Sequence, residues 1–119
     1  MNAKTLGEYL RARREALHQT DRRYSLRQTA QRVGIAPAYL SNIERDQVPP
    51  PATPTLVRLA RDLDEDIDVV LAMAGKVSES LQLIILQRPV LFSELLREIR
   101  HLPDEALLRI IREVQDGKW

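Results

Sequence analysis

The stretch SLRQTAQRVGIAPAYLSNIERD, residues 25–46, decides the fold of this chain. Apolar residues recur at helical spacing on both sides of a central glycine, which predicts two short helices joined by a tight turn. Ala30 is small enough to let the two helices approach closely, and Gly34 can adopt the left-handed backbone that ends the first helix without strain. Ile35 is expected to fill the gap between the helices. Pro37 should open the second helix, because a first turn has no use for its missing amide.

Two short helices joined by a turn of this length form a helix-turn-helix, which places its second helix in the major groove of DNA. Beyond Ala30 and Gly34-Ile35, the second helix carries Leu40-Ser41 and ends in Ile43-Glu44-Arg45. On these residues the chain resembles the Cro and phage-repressor (XRE-type) helix-turn-helix regulators. The resemblance covers about residues 5–75, and it implies a DNA-binding transcriptional regulator, either a repressor or a module of the same fold that binds a protein.

Amphipathic patterns along the rest of the chain predict an all-α fold. We expect a five-helix, repressor-like helix-turn-helix domain over residues 1–75 and a C-terminal helical extension over residues 76–119. Thr53 is expected to cap the fourth helix, ahead of a proline in its first turn. Gly75 is expected to end the fifth helix.

The resemblance also implies an ion pair inside the first domain. In the family, an arginine on the apolar side of the first helix pairs with a glutamate late in the recognition helix, and these places fall on Arg14 and Glu44. The pairing is physically reasonable because an unpaired buried charge is costly. A DNA contact by Glu44 is the alternative, but its carboxylate would repel phosphate.

The recognition helix, residues 37–45, should turn a polar face away from Leu40 and Ile43 and insert it into the major groove. Asn42 on that face could hydrogen-bond adenine through both atoms of its amide. Cations before and at the start of the first motif helix could contact phosphates, although those in the connector could equally be solvated loop residues. The predicted DNA-binding residues are Arg22, Arg23, Arg27, Pro37, Ala38, Tyr39, Ser41, Asn42 and Arg45.

The distribution of charge agrees with a protein that meets phosphate with one half only. The net charge of the chain is +1, but residues 1–61 hold 11 Lys and Arg against 5 Asp and Glu, whereas residues 62–119 hold 7 against 12. Two solvated surfaces of opposite sign are the alternative interpretation.

The C-terminal extension carries more apolar surface than short amphipathic helices bury by themselves. We expect this surface to form the contacts of a homodimer, or to bind a protein partner such as a toxin or a protease. The third possibility is that these helices fold back on their own subunit. The residues predicted for the dimer or partner surface are Phe92, Leu95, Leu96, Leu107, Ile110, Ile111 and Val114.

Other function classes lack their motifs in the sequence. The chain has no cysteine and two histidines far apart, so we expect no metal site. We also expect no cofactor and no enzymatic activity, because no glycine-rich phosphate loop or nucleophile constellation occurs. No apolar run approaches the ~18 residues of a membrane span, and the amino-terminal stretch lacks the apolar core of a signal peptide. A cytoplasmic location is therefore expected.

Overall fold

The computed structural model describes residues 5–117 and residue 119. In these residues the chain forms eight α-helices, one short 3-10 helix and no β-strand, so the predicted all-α fold is confirmed there. The α-helices are α1 (Leu6–His18), α2 (Leu26–Val33), α3 (Pro37–Glu44), α4 (Thr53–Asp62), α5 (Ile67–Met73), α6 (Glu79–Gln87), α7 (Pro89–Ile99) and α8 (Asp104–Asp116). The 3-10 helix, Arg22–Tyr24, lies in the connector between α1 and α2.

The chain divides into two compact units, and the division falls between Leu81 and Gln82. The first unit contains α1 to α5 and the start of α6, so it extends past residue 75, where we predicted a domain boundary. Contacts beyond that point explain the extension. The Lys76 ammonium donates to the Pro51 carbonyl and to the Thr53 hydroxyl, each at 3.3 Å, which ties the chain after α5 to the start of α4.

The core of the first unit is aliphatic. Among the described residues, every buried apolar side chain lies between Leu6 and Leu71. Helix α3 packs against α1 and α2, while α4 packs against α2 and α5. The fully buried leucines at the centre of this packing are Leu10, Leu40, Leu56, Leu59 and Leu63.

Four helices of the first unit, α2 to α5, end in the same way. A residue with positive φ follows each helix, namely Gly34, Asp46, Asp64 and Gly75. The next amide then reaches back to a carbonyl five residues earlier, as from Ile35 to Ala30 at 3.0 Å. This is the Schellman motif, in which a left-handed residue lets the chain turn and satisfies the last carbonyls of the helix. The turn between α2 and α3 is the one that the sequence predicted from Gly34.

Asp46 has a second task that explains an aspartate at a left-handed position. Its carboxylate accepts hydrogen bonds from the Thr5 hydroxyl at 2.6 Å and from the Gly7 amide at 3.0 Å, so it caps the start of α1. Gly7 itself lies so close to the end of α3 that a Cβ atom there would overlap the Ile43 carbonyl oxygen. The first turn of α1 is thereby fixed to the last turn of α3.

The predicted cap of α4 is wrong by one residue. Ala52 occupies the N-cap position without a side-chain hydrogen bond, and Thr53 is the first helical residue. The hydroxyl of Thr53 accepts from the Lys76 ammonium instead of capping the helix. A contact with a residue so distant in sequence is not visible from local patterns.

Arg14 and Glu44 form a buried, two-pronged ion pair between α1 and α3. The Arg14 Nε and Nη2 atoms donate to the two Glu44 oxygens at 2.6 and 2.9 Å. Arg14 is 7% exposed and Glu44 6%. A third donor of the guanidinium, Nη1, reaches the Tyr24 carbonyl at 3.2 Å. The hydrogen bonds to Glu44 raise the pKa of Arg14 despite its desolvation, so the pair stays charged at every pH at which the protein is folded.

Removing one partner of this pair should therefore unfold the protein far more easily than removing an exposed charge. Glu44→Ala leaves the Arg14 guanidinium buried without a counter-charge, and we expect a loss of roughly 3–5 kcal/mol in the free energy of unfolding. The matched control is Glu15→Ala, which breaks the exposed pair of Glu15 with Arg11 on the outer side of α1. Urea titration of both variants should leave the control midpoint unchanged. Equal midpoints for the two variants would contradict the buried role of the pair.

Candidate nucleic-acid interface

Helix α3 has one buried face and one open face. Leu40, Ile43 and Glu44 point into the first unit, and Pro37 opens the helix behind an Ala36 N-cap that makes no side-chain hydrogen bond. The remaining side chains form the open face, which contains the predicted base-reading residues. Of these, Pro37, Ala38, Tyr39 and Arg45 are exposed, and Ser41 and Asn42 are half-buried.

Two residues of the open face are bonded to each other. The Arg45 Nη2 atom donates to the Asn42 Oδ1 atom at 2.9 Å, across one turn of helix. Arg45 is also the C-cap residue of α3, and its Nε atom lies 3.4 Å from the Ser41 carbonyl. The predicted base reader and the predicted phosphate contact therefore form one joined group on the surface.

The connector before α2 carries a second joined group. Asp21 caps the 3-10 helix by accepting from the Arg23 amide at 2.9 Å, and it also holds the Arg23 guanidinium at 2.8 Å. These hydrogen bonds, the guanidinium one first, lower the pKa of Asp21 to about 2. The carboxylate therefore remains charged above that pH, and it partly neutralises an arginine that we predicted to contact phosphate.

The other cations near α2 fall into two classes. The side chains of Arg22 and Arg27 are exposed, and no carboxylate among the described residues pairs with them. Arg32, in contrast, is committed to the fold: it pairs with Asp62 at 2.7 Å and lies 4.9 Å from the centre of the Tyr24 ring. Arg22 and Arg27 are thus the cations beside α3 that are available for an external anion.

The second unit, described by itself, carries a large exposed apolar surface. None of its described residues is buried. Of the seven residues predicted for a dimer or partner surface, Phe92 and Leu107 are half-buried and the other five are exposed. Further large apolar side chains, which we did not single out from the sequence, are also exposed in α6, α7 and α8, namely Leu83, Ile84, Leu86, Val90, Leu91 and Leu108.

Two contributors to the site were missed at the level of sequence. Asp21 escaped notice because an acidic residue in a basic connector resembles an ordinary solvated charge, although its place two residues before Arg23 is typical of a side-chain cap. Arg32 gave no signal, because its partner Asp62 lies thirty residues later in the chain. None of the described helices combines the length and hydropathy that a membrane span requires.

Comparison with known families gives one match. A family model described as a helix-turn-helix domain matches residues 5–72, which is more than half of the chain and includes α1 to most of α5. No curated protein and no solved structure matches the chain at a significant level.

The free cations beside α3 generate a prediction about salt. If Arg22 and Arg27 each contact a phosphate, Arg22→Gln and Arg27→Gln should each reduce the log–log slope of DNA affinity against salt by about 0.9. Arg23→Gln should change the slope less, because Asp21 already neutralises part of its charge. Arg109→Gln in α8 serves as the control with an equal loss of charge. Slopes measured by fluorescence anisotropy that fall equally in all four variants would show a general charge effect and no specific contact.

Proposed function

The chain belongs to the helix-turn-helix domain family, and on that premise we propose that it is a sequence-specific transcriptional regulator that inserts α3 into the major groove of DNA. The observation that carries this proposal is the division of α3 into two faces. Leu40, Ile43 and Glu44 hold the helix in the first unit, which leaves Ser41, Asn42 and their neighbours open. An amide and a guanidinium on such a face are side chains that can hydrogen-bond base edges.

Within the family, we propose the Cro and phage-repressor type, and a repressor in particular. The position of the Arg14–Glu44 pair supports this, since the resemblance implies an ion pair at these two residues. The repressor assignment follows the resemblance. We further propose that the protein acts by binding alone, without enzymatic activity or a cofactor, in the cytoplasm where the DNA is.

We propose that the regulator binds DNA as a homodimer. One recognition helix meets only a few base pairs, so this motif generally binds as a two-fold dimer to half-sites about 34 Å apart, one helical turn of DNA, or a multiple of that distance. The exposed apolar side chains of α7 and α8 support a second copy of the chain as the partner, because a monomer would leave them in water.

A second candidate function uses the same fold mainly to hold a protein partner, as an antitoxin or an adaptor does. The exposed apolar residues outside the proposed dimer set favour it, since Leu83, Leu86 and Val90 would stay exposed even after α7 and α8 had paired. A stable complex with such a partner in the absence of DNA would distinguish this function from the first.

The proposed function predicts that Asn42 contributes to specificity. Asn42→Ala should cost about 1–3 kcal/mol of binding free energy on the preferred duplex and much less on random duplex. Gln115→Ala, which removes an exposed amide from α8, should change neither. Titrations of both variants against both duplexes measure the difference. Equal losses on preferred and random DNA would contradict base reading by Asn42.

The dimer is tested on the full chain with matched pairs of substitutions in α8. Leu107→Gln with Ile111→Gln places two amides on the apolar face, whereas Arg109→Gln with Glu113→Gln places them on the opposite face of the same helix. We expect the first pair to sediment as a monomer and to bind the palindromic site weakly, and the second pair to remain a dimer. A first pair that remains dimeric and binds at full strength would place the interface elsewhere.

A further inference from the structure

The bond between Asn42 and Arg45 determines which atoms α3 offers to a base. An arginine side chain has hydrogen-bond donors and no acceptor. The amide atom that faces Arg45 must therefore be the oxygen, as the 2.9 Å contact from Nη2 to Oδ1 shows. The Asn42 nitrogen, with its two donors, is left as the outward polar atom of that side chain.

The orientation of Arg45 is protected from competition by neighbouring carboxylates. Glu44 is buried and is held by Arg14 through both oxygens. Asp46 uses both of its oxygens on Thr5 and on the Gly7 amide. The two acids that flank Arg45 in sequence are thus already occupied, so no adjacent carboxylate draws the guanidinium away from Asn42.

The backbone after α3 also holds the group in place. The Asn42 carbonyl accepts from the Gln47 amide at 2.9 Å, and the Gln47 side chain donates to the Arg45 carbonyl at 3.3 Å. Both contacts depend on the left-handed turn at Asp46, where φ is 57°. The last turn of α3 is therefore closed around the two residues before any ligand arrives.

On the basis of the proposed function, we propose that Asn42 and Arg45 act as one donor-only group that reads guanine. In the major groove, guanine presents two acceptors, N7 and O6, whereas adenine presents one acceptor and the N6 donor. The bidentate contact of asparagine with adenine needs a free amide oxygen, and Arg45 occupies that oxygen. A donor-only group fits the guanine edge and meets a donor at adenine. Arg45 is then a specificity-determining residue as well as a cation.

The test compares the base preferences of four full-length proteins, selected against the same library of random duplexes. The proteins are the wild type, Asn42→Ala, Arg45→Ala, and Arg27→Ala as the control with an equal loss of charge. The position read by Asn42 is the one whose preference disappears in Asn42→Ala. At that position we expect the wild type and Arg27→Ala to favour guanine over adenine by about tenfold. Arg45→Ala frees the amide oxygen, so its preference should move to adenine.

Two further results would overturn the inference while leaving the proposed function intact. One is adenine at that position in the wild type, and the other is an unchanged guanine preference in Arg45→Ala. Loss of no preference in Asn42→Ala would overturn it as well. If the wild type enriches no duplex at all, the proposed function fails together with the inference, which is a distinct outcome.

A modified base provides a second readout that does not depend on how the variants fold. Replacing the guanine at that position by 7-deazaguanine removes the N7 acceptor only. We expect the wild type to lose roughly tenfold in affinity for the modified duplex and Asn42→Ala to lose nothing. Equal affinity of the wild type for both duplexes would contradict guanine reading.

Discussion

The ion pair between Arg14 and Glu44 is the interaction on which the rest of the first unit depends. It places two opposite charges almost out of contact with water, where each is tolerated only because the other is present. The guanidinium also reaches the Tyr24 carbonyl, so one side chain joins α1, α3 and the connector before α2. The elements that would face DNA are therefore oriented by a single buried group, and its directional hydrogen bonds allow little variation in angle.

This constraint matters because α3 is only eight residues long. An isolated helix of that length is unstable in water, so its stability comes from packing and from its closed ends. Gly34 turns the chain into it, Asp46 turns the chain out of it, and the Asp46 carboxylate also caps α1. The open face of the helix is consequently presented by a rigid support, which is what recognition of base edges requires.

The sequence predicts what local chemistry controls. Gly34 and Pro37 mark the turn and the start of α3, and the apolar spacing assigns the all-α fold. The Arg14–Glu44 partnership came from resemblance, because thirty residues separate the two side chains. What the sequence does not reveal depends on distant or rotamer-specific contacts: Thr53 bonds Lys76 instead of capping α4, Asp21 holds Arg23, and Arg45 holds Asn42. The first unit continues to Leu81 for the same kind of reason.

The central claim is that the surface formed by α3 and the start of α2 is the DNA-binding surface. The most direct test is an NMR titration of the labelled full chain with its preferred duplex, following the backbone amides. We predict that the largest shift changes fall in Ser25–Gln28 and Ala38–Arg45, with small changes beyond Gln82. Large changes confined to residues beyond Gln82, with the α3 amides unmoved, would contradict the account.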